Sequence, residues 1–413
     1  MKKVAIVGAG LAGFSVARKL RELGFSNSIS LYGDEGMIPY DRPPLSKAYL
    51  LGETGRENLE LRADSFFQQN EIGLFAQKKV QRIDAESKKL YFDGGDEQYD
   101  ALVFATGATV RQLPESVTGG LQGVYGLRDL RDADNIAKAF ENAKNVLVVG
   151  GGYIGLELAA AAIKKDLNVT LVEAAPRILQ RVAAEPTSDY FRQLHQSKGV
   201  DIREDVGLQR LVSDGQLSGE QVGNGKVSGA ELSDGSTVEA DCVLVGVGIV
   251  PNTTLAEDAG IEINGGIQTD EHCRTSDPSI WAAGDCASFP NNGGWLRLES
   301  VGNAIDMGEC VAENLMGGER IYVAKPWFWS DQYEARLQIA GLGTGHDQIV
   351  MRPGEKEGAI SHWYYGAGKL LAVDAVNDSK AYMVGRRLIE AGRTPDPALV
   401  VDVETKLTAL LKN

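Results

Sequence analysis

The sequence predicts an α/β protein built from two strand–helix–strand units, the second inserted in the first, with a smaller α+β unit at the carboxyl end. Three observations predict it. Gly8-Ala9-Gly10-Leu11-Ala12-Gly13 follows the apolar run Val4-Ala5-Ile6-Val7, and Gly150-Gly151-Gly152-Tyr153-Ile154-Gly155 follows Val146-Leu147-Val148-Val149. From about residue 325 the pattern changes to alternating segments through about 375, then a helical stretch from about 380 to 392.

Each glycine run has the GxGxxG spacing. Its first glycine makes the tight strand-to-helix turn, its second lets backbone approach a pyrophosphate, and its third lets helix and strand pack closely. The phosphates then meet the unpaired N–H end of the helix. A carboxylate about 20 residues on, at the end of the next strand, takes the ribose hydroxyls. Both copies have one: Ser28-Ile29-Ser30-Leu31-Tyr32 reads as a strand ending near Asp34 and Glu35, and Val169-Thr170-Leu171-Val172 ends at Glu173. One copy alone fits an ordinary glycine turn. Two copies with their acidic partners indicate two Rossmann-like dinucleotide-binding domains with electron transfer between their ligands.

Along the chain, Pro39-Tyr40-Asp41-Arg42-Pro43-Pro44-Leu45-Ser46-Lys47 reads as a stiff extended segment, because three prolines fix φ and remove donors. Ala101-Leu102-Val103-Phe104-Ala105 is a buried-type strand running into Thr106-Gly107, followed by a polar stretch up to residue 145. The second unit continues with a helix over Leu156 to Ile163 and a strand over 169–173. Residues 205–240, rich in Gly, Ser and Asp, read as antiparallel hairpins. Cys242-Val243-Leu244-Val245 is a further strand leading to Gly246. Thr275 to Asp285 contains a strand that delivers Gly284-Asp285 at its carboxyl end, where open parallel sheets bind ligands. The expected domains are therefore 1–111 with 246–324, 112–245, and 325–413.

Composition narrows the class. Of 413 residues, 43% are hydrophobic and 24% charged, as in an ordinary globular enzyme. A net charge of −15 argues against nucleic acid, whose phosphates demand clustered Lys and Arg. Lys2 and Lys3 before an apolar stretch imitate a signal peptide, but the three glycines break the run and favour a strand and helix start. Residues 146–163 are the best candidate for a membrane span, yet they contain Glu157 and four glycines, so neither a membrane nor secretion is expected. Cys242, Cys273, Cys286 and Cys310 show no metal-ligand or CxxC spacing and read as buried hydrophobes of a reducing cytoplasm. No metal site is expected.

Together with Arg42-Pro43-Pro44-Leu45-Ser46-Lys47 and Trp327-Phe328-Trp329-Ser330-Asp331-Gln332, these motifs resemble the FAD- and NAD-binding pyridine nucleotide oxidoreductases of glutathione-reductase-like architecture. Within them the likeness is to NADH-dependent ferredoxin reductases of bacterial ring-hydroxylating dioxygenase and cytochrome P450 systems, and it covers essentially the whole chain. The resemblance implies FAD on the first fingerprint, with Gly8, Gly10, Ala12 and Gly13 at the pyrophosphate and Asp34 or Glu35 at the adenosine ribose. It implies further FAD contacts from Arg42, Lys47, Val80, Ala105, Thr106, Gly107, Arg128, Gly284, Asp285, Val301 and Trp329. It implies NADH on the second fingerprint, with Gly150, Gly152, Tyr153, Ile154, Gly155, Glu157, Glu173, Arg181 and Gly246. Glu173 favours NADH because its charge repels a 2′-phosphate, which Arg177 and Arg181 just beyond it would stabilise. Lys47, Glu157 and Trp329 are the expected catalytic residues: the Lys47–Glu157 pair positions the nicotinamide, and Trp329 faces the flavin on the exit side.

The disulfide reductases of this architecture carry a CxxxxC or CxxC pair, and the related oxidases and peroxidases carry a single redox cysteine in the region here occupied by Pro43-Pro44-Leu45-Ser46-Lys47. Neither signature is present, so electrons are expected to leave directly to an external acceptor. The four histidines, His195, His272, His346 and His362, have no catalytic context and read as structural or surface residues. The expected partner is a [2Fe–2S] ferredoxin, Rieske-type or putidaredoxin-like, which alone contacts the terminal oxygenase. Rieske-type centres, at roughly −150 to +300 mV, are easier to reduce than plant-type ferredoxins. Docking on this acidic protein calls for a local basic patch, with Lys47, Arg62, Arg297, Arg336, Lys380, Arg386 and Arg387 as candidates. Rubredoxin reductases and apoptosis-inducing-factor-like NADH-sensing flavoproteins share these motifs and are the alternative readings. Both a monomer and a homodimer are compatible with the sequence.

Overall fold

The computed structural model describes residues 1–213 and 225–412. In chain order, the elements of the first half are β1 (Lys3–Val7), α1 (Leu11–Glu22), β2 (Ser28–Tyr32), β3 (Ile72–Phe75) and β4 (Ala101–Phe104). They are followed by β5 (Asn145–Val149), α2 (Tyr153–Lys164), β6 (Asn168–Glu173), α3 (Glu185–Ser197), β7 (Cys242–Val245), β8 (Ile280–Ala282) and α4 (Val301–Leu315). The last part holds β9 (Trp327–Gln332), β10 (Ala335–Gly341), β11 (Gln348–Pro353), β12 (Ile360–Gly366), β13 (Lys369–Val376) and α5 (Ser379–Glu390).

These elements form two compact units, neither continuous in sequence. The first comprises residues 1–42, 56–109 and 249–326; the second comprises 43–55, 110–248 and 327–413. In the first, a five-stranded parallel sheet has the order β8-β4-β1-β2-β3. Central β1 sets Val4 opposite Ile29 of β2 and Ala101 of β4. Buried on both faces, such strands read as continuous apolar runs, and Val4, Ala5, Ile6, Leu102, Val103 and Phe104 are fully buried. Helix α1 packs on α4 through small residues. A Cβ on Gly308 of α4 would lie 2.8 Å from the Ala12 carbonyl and 2.9 Å from the Ser15 Cβ.

The second unit repeats the plan. Its parallel sheet places residues 201–204, β6, β5, β7 and residues 124–126 side by side in that order, with Val146 opposite Val169 and Cys242. Residues 208–213, 227–232 and 237–239 form the expected antiparallel hairpins; the part of that expectation falling on 214–224 lies outside the described residues. The antiparallel sheet β9-β10-β13-β12-β11 belongs to the same unit. Ala335, Leu337, Ile339 and Val376 of that sheet share one core with Val148, Leu156, Ala159 and Leu171.

One local expectation is corrected. Pro43–Ser46 is a 3₁₀ turn rather than extended chain. The proline φ of about −65° suits either state, and here Lys47 N donates to the Pro44 carbonyl at 3.0 Å and closes the turn.

Candidate functional site

The first glycine cradle shows why its spacing is restrictive. Gly8 has φ 119°, and a Cβ there would lie 2.0 Å from the Ala105 carbonyl oxygen. One on Gly13 would lie 2.0 Å from the Gly8 carbonyl, so helix and strand touch backbone to backbone. At Gly10, by contrast, a Cβ meets nothing within 4 Å. No side chain caps Gly10 and the first turn of α1 carries no acid. Free space in front of uncapped N–H groups fits a pyrophosphate.

Neighbouring strand ends converge on this cradle. Ala105 N donates to the Val7 carbonyl at 2.8 Å, and Thr106 Oγ1 donates to the Asn252 carbonyl at 2.7 Å, which holds the turn through Gly107. Gly284, with φ 81°, sits against Ala12: a Cβ there would be 2.8 Å from the Ala12 Cβ. Asp285 follows it, and Val301 is the first residue of α4, whose cap Ser300 accepts from Asn303 N. Val80 is buried at the start of a strand over Val80–Asp84. Beyond β2 the two acidic candidates differ. Asp34 is more than half exposed, with Lys79 3.8 Å away. Glu35 accepts from the Tyr40 hydroxyl at 2.5 Å and from the Arg42 guanidinium.

The second cradle has the same contacts. Gly150 has φ 104° with its missing Cβ 2.6 Å from the Gly246 carbonyl, and Gly155 faces the Gly150 carbonyl at 2.0 Å. Gly152 again opens onto free space and again lacks a side-chain cap. Tyr153 and Ile154 open α2; Ile154 is exposed, while burial pushes the Tyr153 hydroxyl well above its ordinary pKa. Glu173, at the end of β6, accepts from Gly151 N at 2.7 Å and from Ala175 N at 2.8 Å. Each carboxylate oxygen keeps a further lone pair for a ribose hydroxyl. Arg177 is committed elsewhere, to the Ala183 carbonyl and the Ser188 hydroxyl. Arg181 is exposed, with a guanidinium nitrogen 3.6 Å from where a Cβ on Gly248 would be.

Two residues past Gly155, Glu157 is 3% exposed inside an apolar helix. It is the hub of a compact hydrogen-bonded group. Lys47 Nζ donates to its Oε2 at 2.7 Å, the Ser46 hydroxyl donates to the same oxygen at 2.5 Å, and the Ser330 hydroxyl donates to Oε1 at 2.6 Å. The 3₁₀ turn aims Ser46 and Lys47 at the helix, and a second Lys47 bond goes to the Pro43 carbonyl at 3.2 Å. A buried carboxylate persists only when paired and hydrogen-bonded, and all three donors meet that condition.

Residues 2–308 match the family described as pyridine nucleotide-disulphide oxidoreductase, and residues 327–411 match the domain described as reductase C-terminal. The chain belongs to the pyridine nucleotide-disulphide oxidoreductase family. It is 40% identical to rhodocoxin reductase of Rhodococcus erythropolis over 98% of this chain and 93% of that one. It is 39% identical to putidaredoxin reductase of Pseudomonas putida over 99% and 96%. Its fold superposes on the reductase in the covalent putidaredoxin reductase–putidaredoxin complex with a TM-score of 0.93, at 38% identity, covering 100% of this chain and 98% of that one.

Unlike the disulfide-using members of that family, this chain keeps Cys242, Cys273, Cys286 and Cys310 as buried free thiols. Burial pushes the Cys242 thiol up to about 12, which makes it unreactive. Trp327 and Trp329 are half-buried and stack at 5.5 Å with 19° between their planes, and the Arg386 guanidinium lies 5.6 Å over Trp327. Arg128 N donates to Asp132 at 2.8 Å, next to the Asp129 capping box. Most of the basic candidates are already paired with acids: Arg297 with Glu299, Arg336 with Asp331, Lys380 with Glu355, Arg386 with Glu390. Among the described residues, no cluster suited to a metal ion occurs and no helix is long and apolar enough to cross a membrane. Sequence reasoning missed the part played by Ser46 and Ser330, which donate to Glu157, although both lie inside the two motifs that carry the resemblance.

Proposed function

We propose that this chain is an NADH-dependent ferredoxin reductase: a cytoplasmic flavoprotein that takes hydride from NADH onto FAD and passes single electrons to a [2Fe–2S] ferredoxin serving an oxygenase. The observation that carries this reading is the pair of glycine cradles, of which only the second is followed by a buried carboxylate bonded to a lysine. When bound, FAD supplies the two-electron to one-electron conversion. The protein's own residues bind, orient and exclude.

In the first cradle Gly8, Gly10, Ala12 and Gly13 leave room for the FAD pyrophosphate, and Asp34 or Glu35 takes the ribose. Arg42, Lys47, Val80, Ala105, Thr106, Gly107, Arg128, Gly284, Asp285, Val301 and Trp329 are the further FAD residues of this reading. In the second, Gly150, Gly152, Tyr153, Ile154 and Gly155 hold the NADH pyrophosphate, Glu173 the ribose, and Arg181 and Gly246 its border. The Glu157 carboxylate orients the nicotinamide carboxamide, and the Lys47 ammonium stabilises negative charge that develops on hydride acceptance. The corresponding domain assignment is 1–111 with 246–324 for FAD, 112–245 for NADH, and 325–413 for the C-terminal domain.

The test is anaerobic cytochrome c reduction by NADH, with and without an added [2Fe–2S] ferredoxin, and with NADPH in parallel. A large ferredoxin-dependent rate with NADH supports the proposal. A flavin readily reduced by NADH but indifferent to ferredoxin overturns the partner assignment, and a flavin untouched by NADH overturns the whole reading.

A further inference from the structure

A chain of buried side chains runs away from Glu157 on the side opposite Lys47. The Ser330 hydroxyl donates to Glu157 Oε1 at 2.6 Å, Gln332 Nε2 donates to Ser330 Oγ at 3.0 Å, and His195 Nε2 lies 2.8 Å from Gln332 Oε1. The Tyr333 hydroxyl lies 3.3 Å from His195 Nδ1. Ser330, Gln332 and His195 are fully buried, so none has water as an alternative partner. Three elements meet here: α2 carries Glu157, α3 carries His195, and β9 carries Ser330 and Gln332.

Chemistry dictates the direction of every bond. A carboxylate only accepts, so Ser330 donates to Glu157. Ser330 then accepts the Gln332 amide N–H, which turns the amide oxygen toward His195. His195 must carry its proton on Nε2, and its bare Nδ1 takes the Tyr333 hydroxyl. The histidine has to be neutral for this, and burial holds it so, lowering its pKa to about 4. The charged groups around this end of the chain lie farther out: Lys198 sits 5.5 Å over the Tyr333 ring and pairs with Glu334. The Gln332 amide interrupts any proton path, so the chain orients groups without conducting protons.

We propose that His195 is a positioning residue for the nicotinamide site, locking the Gln332 amide in the one orientation that makes Ser330 donate to Glu157. Without the His195 donor, the Gln332 amide is free to turn its oxygen to Ser330. The hydroxyl then donates to that oxygen, and Glu157 loses the bond that fixes its Oε1. The inference rests on the role proposed above for Glu157.

The experiment is anaerobic stopped-flow reduction of the flavin in the purified full-length holoprotein by NADH, resolving the limiting rate from the NADH dissociation constant. His195→Phe is expected to lower the limiting rate on the order of tenfold, the scale of one hydrogen bond to a charged group. The dissociation constant, set mainly by the pyrophosphate and ribose contacts, stays within about twofold. His195→Gln places an amide N–H where Nε2 was and restores the rate. In a Ser330→Ala background, His195→Phe has no further effect, because the bond it governs is already gone. Should His195→Phe not fold, His195→Asn, whose amide stops short of Gln332, replaces it. Equal losses from the Phe and Gln variants, or a full loss from His195→Phe on the Ser330→Ala background, would show that His195 only fills space. Failure of the wild-type flavin to accept electrons from NADH would instead remove the reading of Glu157 on which the inference stands.

Discussion

The two glycine cradles are nearly superimposable in their contacts, and their difference lies two residues past the last glycine. There the first has Ser15 and the second has Glu157, both buried. Ser15 is small because α4 crosses at that point, with Gly308 pressed against it. The first helix uses the position for helix packing, whereas the second uses it for a carboxylate with three donors. The same local fold thus carries a packing residue in one place and, in the other, the buried carboxylate to which the nicotinamide role is proposed above. Identical glycine spacing says where phosphates go and nothing about which copy does chemistry.

The largest expected effects separate the two copies. Gly8→Val places a side chain on the Ala105 carbonyl and should yield protein without flavin, seen as loss of visible absorbance. Gly150→Val should keep the flavin, still reducible by dithionite, and abolish its reduction by NADH. Loss of flavin from both variants would break the assignment of one ligand to each cradle.

Next comes the divergent position itself. Glu157→Gln keeps the shape and removes the charge, and should lower the rate of flavin reduction by about ten- to a hundredfold in stopped-flow measurements. Ser15→Ala should leave that rate within twofold. Ser15→Glu, which overpacks α4 and buries an unpaired carboxylate, should destabilise the protein by about 3–5 kcal/mol in a denaturant titration. A smaller loss from Glu157→Gln than from Ser15→Ala would erase the contrast.

The acidic strand ends offer a finer distinction. Glu173→Ala should shift the kcat/KM ratio toward NADPH by about tenfold, and adding Arg181→Ala should take back part of that shift. Substitution of Arg177 should act on stability instead, because its bonds go to Ala183 and Ser188.

The last contrast concerns acid. Burial lowers His195 and His362 to about 4, and both belong to the second unit. Between pH 6.5 and 4 the unfolded chain binds protons that these folded histidines refuse, so each removes about 1.4 kcal/mol of stability per pH unit as pH falls. Asp374, raised by burial to about 6, acts in the opposite sense and loses stability as pH rises from 3.8 to 6. Two groups against one leave a net loss on acidification, beginning below pH 6.5 where only the histidines contribute. His362→Asn should flatten the fall in thermal midpoint between pH 7 and 5, and hydrogen exchange should show the second unit opening first. A first unit that opens earlier would remove the distinction.

What could be read beforehand follows from the range of the interactions. Each cradle is specified within a few residues by backbone contact, so the turns, β2, β6 and the helix after Gly155 stood out as written. The Lys47–Glu157 bond spans 110 positions and the His195–Gln332 bond 137, and no local pattern encodes either. The first was reached through resemblance alone. His195 looked idle because its partner lies on a strand far down the chain. The Pro43–Pro44 pair misled for a different reason: proline fixes φ but leaves ψ open between extended chain and a 3₁₀ turn.

The order of strands in the first sheet also has a consequence in time. Edge strand β8 pairs with β4 but begins at Ile280, whereas β4 ends at Phe104. At ribosomal speeds of about 5–20 residues per second, the apolar edge of β4 waits roughly 9–35 s for its neighbour. All five strands of the inserted parallel sheet, from residue 124 to Val245, emerge during that wait. The guest sheet is therefore complete before its host can close, and an unpaired Ala101–Phe104 edge is the stretch most exposed to wrong pairing during synthesis.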